Sequence, residues 1–339
     1  MSKLYGGIDL HANNSVMVVL DEQDHVVYRK RLPNDLDTMR EQLAPFQAQL
    51  HGLVVESTYN WYWLVDGLME AGYTVHLANP AAMKQYEGLK HTNDDTDARW
   101  LAHLLRLGVL PTGYIYPKAD RAVRDLLRKR SQLVRQKTAN LLSIQTLLIR
   151  NTGQTMRGDR VQQLTSDQVG ELVTFPEQAL ALQVTVAVMQ HLVEQITRVE
   201  QAVKARVHLR PTFQSLLTVP GIGQILALTI MLETGDIRRF PTVGQFASYC
   251  RCVGSTKLSN GKRKGQGNTK NGNKYLAWAF VEAAHFAIRY APQIRQFYDR
   301  KRAKTKVVIA LKAVAHKLAR ACYYIMRDAV PFDLTRAFA

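Results

Sequence analysis

The chain has 339 residues, more than one compact domain usually holds, so its length predicts two or three folding units. Hydrophobic residues make up 46% of it, too many for a disordered chain. The net charge of +17 divides unevenly, into −5 over residues 1–110 and +22 over residues 111–339. An acidic first third followed by a strongly basic remainder indicates two tasks, one of which is to neutralise nucleic-acid phosphates.

The sequence favours a cytoplasmic protein that binds no membrane. Its apolar runs look shorter than the roughly 20 residues that span a bilayer, and its N-terminus lacks a signal-peptide pattern. The basic residues are spread over several elements, which disfavours an anionic membrane surface as partner. Cys250, Cys252 and Cys322 lack the spacing of a zinc site, so we expect structural thiols in a reducing compartment.

Strand and helix signals alternate over residues 1–117. Three apolar runs with tight polar turns predict an antiparallel meander at Lys3–Leu10, Ser15–Asp21 and His25–Arg31. Next we predict a helix over Asn34–Leu50, a strand over Leu53–Glu56, a helix over Trp61–Ala71, a strand over Tyr73–Leu77, a helix from Pro80 and a helix over Asp94–Leu107. This order predicts an α/β domain with a mixed sheet and helices on its faces.

Residues 118–207 show a seven-residue apolar spacing in two long segments. The recurring positions are Leu127, Val134, Leu141 and Leu148, then Leu182, Met189, Ile196 and Val203. The spacing predicts a helical coiled-coil insertion, formed within the chain or between subunits, with an ordinary helical bundle as the alternative. The first segment is basic, which makes Arg124, Arg128 and Lys129 candidate phosphate contacts; a solvated charged face is the alternative.

Residues 208–339 have a mainly helical pattern and end in a basic amphipathic helix, Lys306–Arg327. Pro220-Gly221-Ile222-Gly223 resembles a helix-hairpin-helix motif, in which Gly221 and Gly223 would let backbone N–H groups approach a phosphate. A tight turn between two helices is the alternative. The stretch from Gly254 to Lys274 contains six Lys or Arg residues and no acid.

Four carboxylates stand out in the first segment. Asp9 ends the first predicted strand, Glu56 ends the fourth, and Asp94 and Asp97 lie three residues apart at the start of a helix. Each has an ordinary alternative: a turn cap, an exposed strand end, and acids that favour a helix N-terminus. Together they fit two-metal phosphoryl transfer, in which carboxylate oxygens bind Mg²⁺.

These motifs resemble a known family. Gly7-Ile8-Asp9-Leu10-His11, Glu56 and Asp94-Asp95-Thr96-Asp97-Ala98 are similar to the D-E-D-D set of a RuvC-like, ribonuclease-H-type domain. This version of the set is that of the DEDD-type insertion-sequence transposases, relatives of Piv-type DNA invertases. Asn93 stands where the family commonly has Thr, and the spacing selects Asp94 over Asp95 as the partner of Asp97. The resemblance implies a RuvC-like catalytic domain over 1–117 that binds Mg²⁺ through Asp9, Glu56, Asp94 and Asp97.

The resemblance extends to residues 208–339, which are similar to the family's C-terminal transposase domain. It implies that Ser259 attacks DNA to form a 5′-phosphoserine link, with Ser255 as the rival nucleophile. It also implies a bridge or seeker guide RNA that pairs with donor and target DNA, and a dimer of dimers. The basic candidates for nucleic-acid binding here are Lys257, Lys262, Arg263, Lys264, Lys270 and Lys274.

The leading hypothesis is therefore a DNA transposase that uses a metal site and a serine. Two alternatives remain. One is a Holliday-junction nuclease that uses the carboxylates alone, and the other is a non-catalytic nucleic-acid-binding protein.

Overall fold

The structure is a computed structural model that describes residues 3–83, 94–207, 210–254, 256–266 and 271–338. The chain separates into two compact units, Met1–Lys118 and Ala119–Ala339. The first unit contains the acidic residues singled out above. The second contains both the segment predicted as a coiled-coil insertion and the segment predicted as a C-terminal domain.

The first unit is built on a six-stranded sheet with the order β3-β2-β1-β4-β5-β6. Strands β1 and β4, and β4 and β5, are parallel, while the other neighbours are antiparallel. The predicted mixed α/β sheet is confirmed, and the short edge strand β6 was not anticipated. The strands are β1 (Leu4–Leu10), β2 (Asn14–Leu20), β3 (Val26–Pro33), β4 (Leu50–Glu56), β5 (Val75–Ala78) and β6 (Thr112–Gly113).

Four helices accompany this sheet: α1 (Leu36–Leu43), α2 (Tyr62–Glu70), α3 (Pro80–Met83) and α4 (Asp94–Arg106). The predicted helix over Asn34–Leu50 was wrong in its second half. The α-helix ends at Leu43, a 3₁₀ turn covers Ala44–Phe46, and β4 begins at Leu50. Pro45 explains the early end, because its ring excludes the hydrogen bond that would continue the helix.

The two faces of the sheet bury different partners. Ile8 and Val55 point to the face covered by α1 and α2, in a cluster with Leu64. Val16 and Val18 point to the opposite face, against Ala98 of α4. Because side chains alternate along a strand, the residues that follow Ile8 and Val55 must lie on the α4 face.

The second unit begins with two long helices, α5 (Lys118–Thr152) and α8 (Pro176–Val207). They run antiparallel, because Arg130 Nε lies 2.6 Å from Glu200 Oε1 near one end while Ile144 shares a cluster with Met189 further along. Two short helices, α6 (Gly158–Val161) and α7 (Ser166–Gly170), contribute Val161 and Val169 to that distal cluster. The distal part is thus a four-helix cluster, and a two-stranded coiled coil stays a prediction.

Helix α8 also corrects the expectation that the chain contains no apolar segment of membrane-spanning length. Over Pro176–Arg206 it is long and apolar enough to cross a bilayer by length and composition, with a stretch of mean hydropathy 1.2. The core helix of a folded protein meets the same criterion, and 28% of that stretch is buried within the protein. Leu182 and Val186 of this helix are fully buried in the distal cluster.

The rest of the second unit packs around one large core, in which Phe246, Phe280 and Cys322 are fully buried. Cys250 and Cys252 are buried in the same core as free thiols, and burial raises the pKa of the Cys252 thiol to about 12. The elements are α9 (Pro211–Leu217), α10 (Gln224–Thr234), α11 (Val243–Tyr249), β7 (Thr256–Ser259), β8 (Lys262–Gln266), α12 (Lys274–Tyr290), α13 (Pro292–Arg302), α14 (Val307–Asp328) and α15 (Leu334–Phe338).

Candidate active site

Asp9 and Glu56 meet at the ends of two parallel neighbouring strands. Ile8 of β1 pairs with Val55 of β4, so the next residue on each strand brings the two acids side by side. The Glu56 carboxyl group lies close enough to Asp9 to raise its pKa. Asp9 is only 3% exposed, and both side chains point to the α4 face of the sheet. The sequence prediction that these two residues converge is consistent with this placement.

Asp97 reaches the same place because α4 lies very close to β1. A Cβ atom on Gly7 would overlap the carbonyl oxygen of Ala98 and lie 2.8 Å from the Ala102 nitrogen. Gly7 and Asp9 point to the same face, so the close approach brings the first turn of α4 towards the acid pair. Asp97 precedes Ala98 on this helix, and its charge acts on Asp9. The side chain of Asp94 lies outside the described residues.

The crowding of acids changes the ionisation of Asp9. Burial raises the pKa of Asp9 from 3.8 to about 7, and the hydrogen bond and negative charge of Glu56 and the charge of Asp97 act in the same direction. His11 opposes this rise, because its Nε2 lies 3.2 Å from Oδ2 of Asp9. The site therefore favours the protonated form of Asp9 unless a positive charge lies close to it.

The donor set suits a hard divalent cation. Carboxylate oxygens are the usual ligands of Mg²⁺, and a cation would offset the burial and the neighbouring negative charges that raise the pKa of Asp9. Oδ2 of Asp9 is buried and makes no hydrogen bond to the described residues. The described side chains do not by themselves form a group of three that could hold an ion, and Asp94 would have to complete the set.

A charged clamp that the sequence reasoning missed holds α4 against the turn between β2 and β3. The Asp24 carboxylate accepts hydrogen bonds from Arg99 Nη2 at 2.9 Å and Arg106 Nε at 3.1 Å, and lies 2.7 Å from His103 Nδ1. Burial acts to raise the pKa of Asp24, but His103 and the two guanidinium groups hold it below its ordinary value. The detectable signal was the spacing of three basic residues on one face of a predicted helix.

Ser259 lies at the end of a β-hairpin in a region expected to be mainly helical. It ends β7 and pairs with Lys262 of β8, across a two-residue turn formed by Asn260 (φ 51°) and Gly261 (φ 71°). Asn-Gly is the strongest sequence signal for such a turn, so the hairpin could have been predicted. Ser259 is exposed, as are the predicted binding residues Lys262, Lys264 and Lys274. Ser255 and Lys270 lie outside the described residues, as do the side chains of Lys257 and Arg263.

The glycines of the predicted helix-hairpin-helix motif differ in their surroundings. Gly221 has φ 85°, and a Cβ atom there would lie 2.6 Å from the Ala287 nitrogen, so this turn packs directly on α12. Gly223 is exposed at the N-terminus of α10, with open space around its Cα atom. The tight-turn interpretation accounts for Gly221, and phosphate binding at Gly223 stays a prediction.

The three basic residues predicted to bind phosphate from α5 lie in different environments. Arg124 is buried, at 4% exposure. Arg128 donates two hydrogen bonds to Glu233, from Nε to Oε1 at 2.6 Å and from Nη2 to Oε2 at 2.8 Å. Lys129 is exposed and donates to Gln132. The fold thus gives Arg128 a protein partner that the sequence could not indicate.

Comparisons with known proteins match both units. Residues 6–150 match the family model DEDD_Tnp_IS110, described as a transposase, and residues 213–299 match the model of the transposase IS116/IS110/IS902 family. With acids at the ends of parallel strands and a matching second unit, the chain is a DNA transposase of the DEDD type. It belongs to the IS110 family, which confirms the resemblance found in the sequence.

Relatives of full length support this membership. The chain is 23% identical to the transposase of IS1328 from Yersinia enterocolitica, over 96% of this chain and 98% of that protein. It is 25% identical to the transposase of IS1111A from Coxiella burnetii, over 96% and 87% respectively. It is 23% identical to the pilin gene-inverting protein of Moraxella bovis, over 98% of each chain.

Proposed function

We propose that the protein cuts and rejoins DNA with a divalent cation and a serine nucleophile. Asp9, Glu56, Asp94 and Asp97 would hold the cation, which would stabilise the charge that develops on the reacting phosphate. The observation that carries the proposal is the placement of Asp9, which is 3% exposed and lies beside Glu56 at the ends of paired parallel strands. Burial, Glu56 and Asp97 all raise the pKa of Asp9. The matched family model over residues 6–150 supports the same assignment.

In the proposed reaction Ser259 Oγ forms a bond to a DNA phosphorus atom. The bond from that phosphorus to the 3′ oxygen breaks, and the serine proton is transferred overall to that oxygen. The products are a 5′-phosphoserine link and a free 3′ hydroxyl. Attack by another 3′ hydroxyl on the phosphoserine reverses the step, so strands can be rejoined without an external energy source. Exposure of Ser259 beside Lys262 supports this role.

The proposed fold of the first unit is RuvC-like, that is, ribonuclease-H-type. The strand order and the position of Asp9 on the central strand support it. Helix α4 on the acid-bearing face also supports it. The same proposal includes a helix-hairpin-helix function for Gly221 and Gly223. It also includes a role in phosphate binding for Lys129, Lys257, Lys262, Arg263, Lys264, Lys270 and Lys274.

Donor and target DNA are the proposed substrates, and a bridge or seeker guide RNA is the proposed partner. The charge of +22 over residues 111–339 supports contact with both DNA and guide RNA. Basic residues can bind the phosphate backbone of an A-form duplex with little contact to its bases. A dimer of dimers is the proposed assembly. The pilin gene-inverting relative is named for inverting a gene, which supports recombination that conserves the strands.

The deciding experiment is to trap a covalent protein–DNA adduct on a denaturing gel, with labelled element-end DNA, guide RNA and Mg²⁺. We expect the adduct with wild type and with Ser255→Ala, and none with Ser259→Ala or Asp9→Asn. If Ser259→Ala retains DNA cleavage without an adduct, the nuclease alternative is correct. If Asp9→Asn leaves every activity unchanged, the non-catalytic alternative is correct.

A further inference from the structure

Glu233 is a buried acid that the proposed chemistry does not use. It lies on α10 at 2% exposure, and its two oxygens accept the forked pair of hydrogen bonds from Arg128 of α5. Oε2 also accepts a hydrogen bond of 2.7 Å from Nδ2 of Asn273, which is itself 8% exposed. The Arg128 guanidinium lies over the Tyr275 ring at 4.7 Å. Three distant parts of the second unit therefore meet at one carboxylate.

Asn273 is the residue that connects this carboxylate to the serine segment. Its Oδ1 accepts hydrogen bonds from the Tyr275 and Leu276 nitrogens and so caps the N-terminus of α12. Its backbone N–H donates to the Tyr249 oxygen at 2.7 Å. The side chain thus binds Glu233 and begins α12, while the backbone binds the end of α11.

The two ends of the segment that carries Ser259 are fastened together at this point. Arg251 donates from Nη2 to the Gly272 oxygen at 2.9 Å, across 21 residues. A Cβ atom on Gly272, where φ is 89°, would lie 2.5 Å from the Tyr249 oxygen, so no larger residue fits here without displacement. The chain between Arg251 and Gly272 therefore leaves and re-enters the helical core at adjacent points, and Asn273 fixes the re-entry.

A buried ion pair is a poor way to gain stability alone. Removing Glu233 and Arg128 from water costs roughly as much free energy as their attraction returns, and apolar side chains of similar size often stabilise a core equally well. What the network provides is a fixed orientation of the groups that it joins, because a forked guanidinium and a capping amide each form their hydrogen bonds in only one geometry. This fixed orientation matters at Arg251 and Gly272, the two ends of the segment that carries Ser259.

We propose that Arg128, Glu233 and Asn273 are positioning residues for the Ser259 hydroxyl. They hold the base of the 251–272 segment in one orientation relative to α5 and α10, so that the β7–β8 hairpin presents the serine to a phosphate in a reactive geometry. The proposal rests on the serine chemistry proposed above. It also assigns Arg128 to the protein interior network instead of to a nucleic-acid phosphate.

The test uses variants that change the network and keep the helix cap. Asn273→Asp retains an N-cap oxygen but places a carboxylate against Glu233, which the amide had bound. Glu233→Gln removes the charge that Arg128 binds. The double variant Glu233→Gln/Asn273→Asp keeps the net charge and can restore the hydrogen bond between positions 233 and 273, with the Gln amide as donor. That amide nitrogen takes the place of Oε2 and cannot accept from Arg128 Nη2, so one of the two Arg128 bonds stays lost. Arg128→Lys keeps the charge and loses the fork.

Arg130→Gln is the matched control. Arg130 lies on α5, as Arg128 does, and the substitution breaks a 2.6 Å ion pair between Arg130 and Glu200 of α8. In the full-length protein with DNA, guide RNA and Mg²⁺, we expect Asn273→Asp, Glu233→Gln and Arg128→Lys each to slow adduct formation about 10- to 100-fold, the cost of a small misplacement of a reacting group. We expect the double variant to recover part of the wild-type rate, because it restores the bond between positions 233 and 273 but not the full Arg128 fork. DNA affinity and its salt dependence should stay unchanged.

Each other outcome overturns one idea. If wild type forms no adduct, or Ser259→Ala still forms it, the serine chemistry fails. If wild type forms the adduct through Ser259 but the network variants react as fast as Arg130→Gln, the positioning role fails. It also fails if the double variant is no faster than the single variants. A salt-dependence slope lowered by about one in Arg128→Gln, which removes the charge, would show that Arg128 binds a phosphate instead.

Discussion

Gly7 of β1 and Ala98 of α4 lie so close together that the space between the strand and the helix has no room for a Cβ atom on Gly7. The same contact brings the residue before Ala98, Asp97, towards the residue two after Gly7, Asp9. A packing requirement and the assembly of the acid cluster are therefore one structural feature. Gly7 stands two residues before Asp9 in this chain, and the contact gives a physical reason for a glycine at that position.

Gly7→Ala should damage the protein in two ways. The new methyl group would overlap backbone atoms of α4, and the overlap can be removed only if the helix moves. We therefore expect the free energy of unfolding to fall by about 1–3 kcal/mol. The same movement should take Asp97 away from Asp9 and abolish DNA cleavage at temperatures where the variant is still folded. Thermal unfolding and cleavage of labelled DNA measure the two effects.

The control for this variant is Gly113→Ala in β6, where a Cβ atom would make ordinary contacts of 3.6 Å with Leu77. We expect it to unfold and cleave like wild type. Equal behaviour of the two alanine variants would contradict the close-approach argument.

Asp9→Asn should stabilise the protein in the absence of divalent cations, increasingly so as pH rises. The folded-state pKa of Asp9, about 7, lies above the unfolded value of about 3.9, so its contribution to stability is fully present below pH 4 and is lost as pH rises through 7. The difference in free energy of unfolding between Asp9→Asn and wild type should therefore grow by at most about 4 kcal/mol between about pH 4 and 7, and then level off.

Thermal midpoints measured in chelator from pH 4 to pH 8.5 test this expectation. Added Mg²⁺ should stabilise wild type above pH 7 and have little effect on Asp9→Asn, since a cation replaces the proton. A pH-independent difference between the two proteins would show that Asp9 ionises normally.

Asp24→Asn should loosen α4 from the β2–β3 turn. Asp24 has φ 72°, a conformation that Asn also adopts. The substitution therefore removes the charge and adds no backbone strain. Because the folded pKa of Asp24 is lowered, its stabilisation is present above the unfolded pKa of about 3.9 and lost as pH falls through the folded value.

For Asp24→Asn we expect about 1–3 kcal/mol of lost stability at pH 7 and weaker DNA cleavage, since α4 carries Asp97. Urea unfolding at pH 7 and at pH 3 measures the difference, which should shrink at the lower pH. Glu22→Gln, at an exposed neighbouring position, should match wild type. No loss at pH 7 would mean that the clamp is screened by solvent.

The acid cluster was predictable from local patterns because strand ends and helix starts can be recognised in a sequence. Asp9 and Glu56 each follow a buried run, and parallel strands bring such ends together. Asp97 was predictable from its helical spacing. The helix predicted after Asn34 was too long, which shows the limit of such local patterns. The amphipathic pattern continues through the 3₁₀ turn, so the sequence did not reveal that the α-helix ends at Leu43.

Long-range partners could not be predicted in the same way. Arg128 is one of several basic residues on an exposed-looking helix face, and only the fold brings it to Glu233, 105 residues away. The clamp on Asp24 likewise joins residues 75 to 82 apart in sequence. Side chains that gain buried partners through tertiary packing leave no periodic pattern in the sequence. The run of basic residues that includes Arg128 was therefore interpreted as a binding surface.

The turn that follows Ser259 allows a last test, one that separates the geometry of the hairpin from the stability of the core. Gly261 has φ 71°, a conformation that a β-branched residue strongly disfavours, and open space surrounds it. Gly261→Val should therefore disrupt the Asn260-Gly261 turn through the backbone alone. We expect an adduct yield at least about tenfold lower, with an unchanged thermal midpoint, because none of the hairpin side chains that the structure describes belongs to the buried core cluster. Asn260→Gly keeps a turn of the same type and should react like wild type. Equal adduct yields from Gly261→Val and Asn260→Gly would mean that the turn does not orient Ser259.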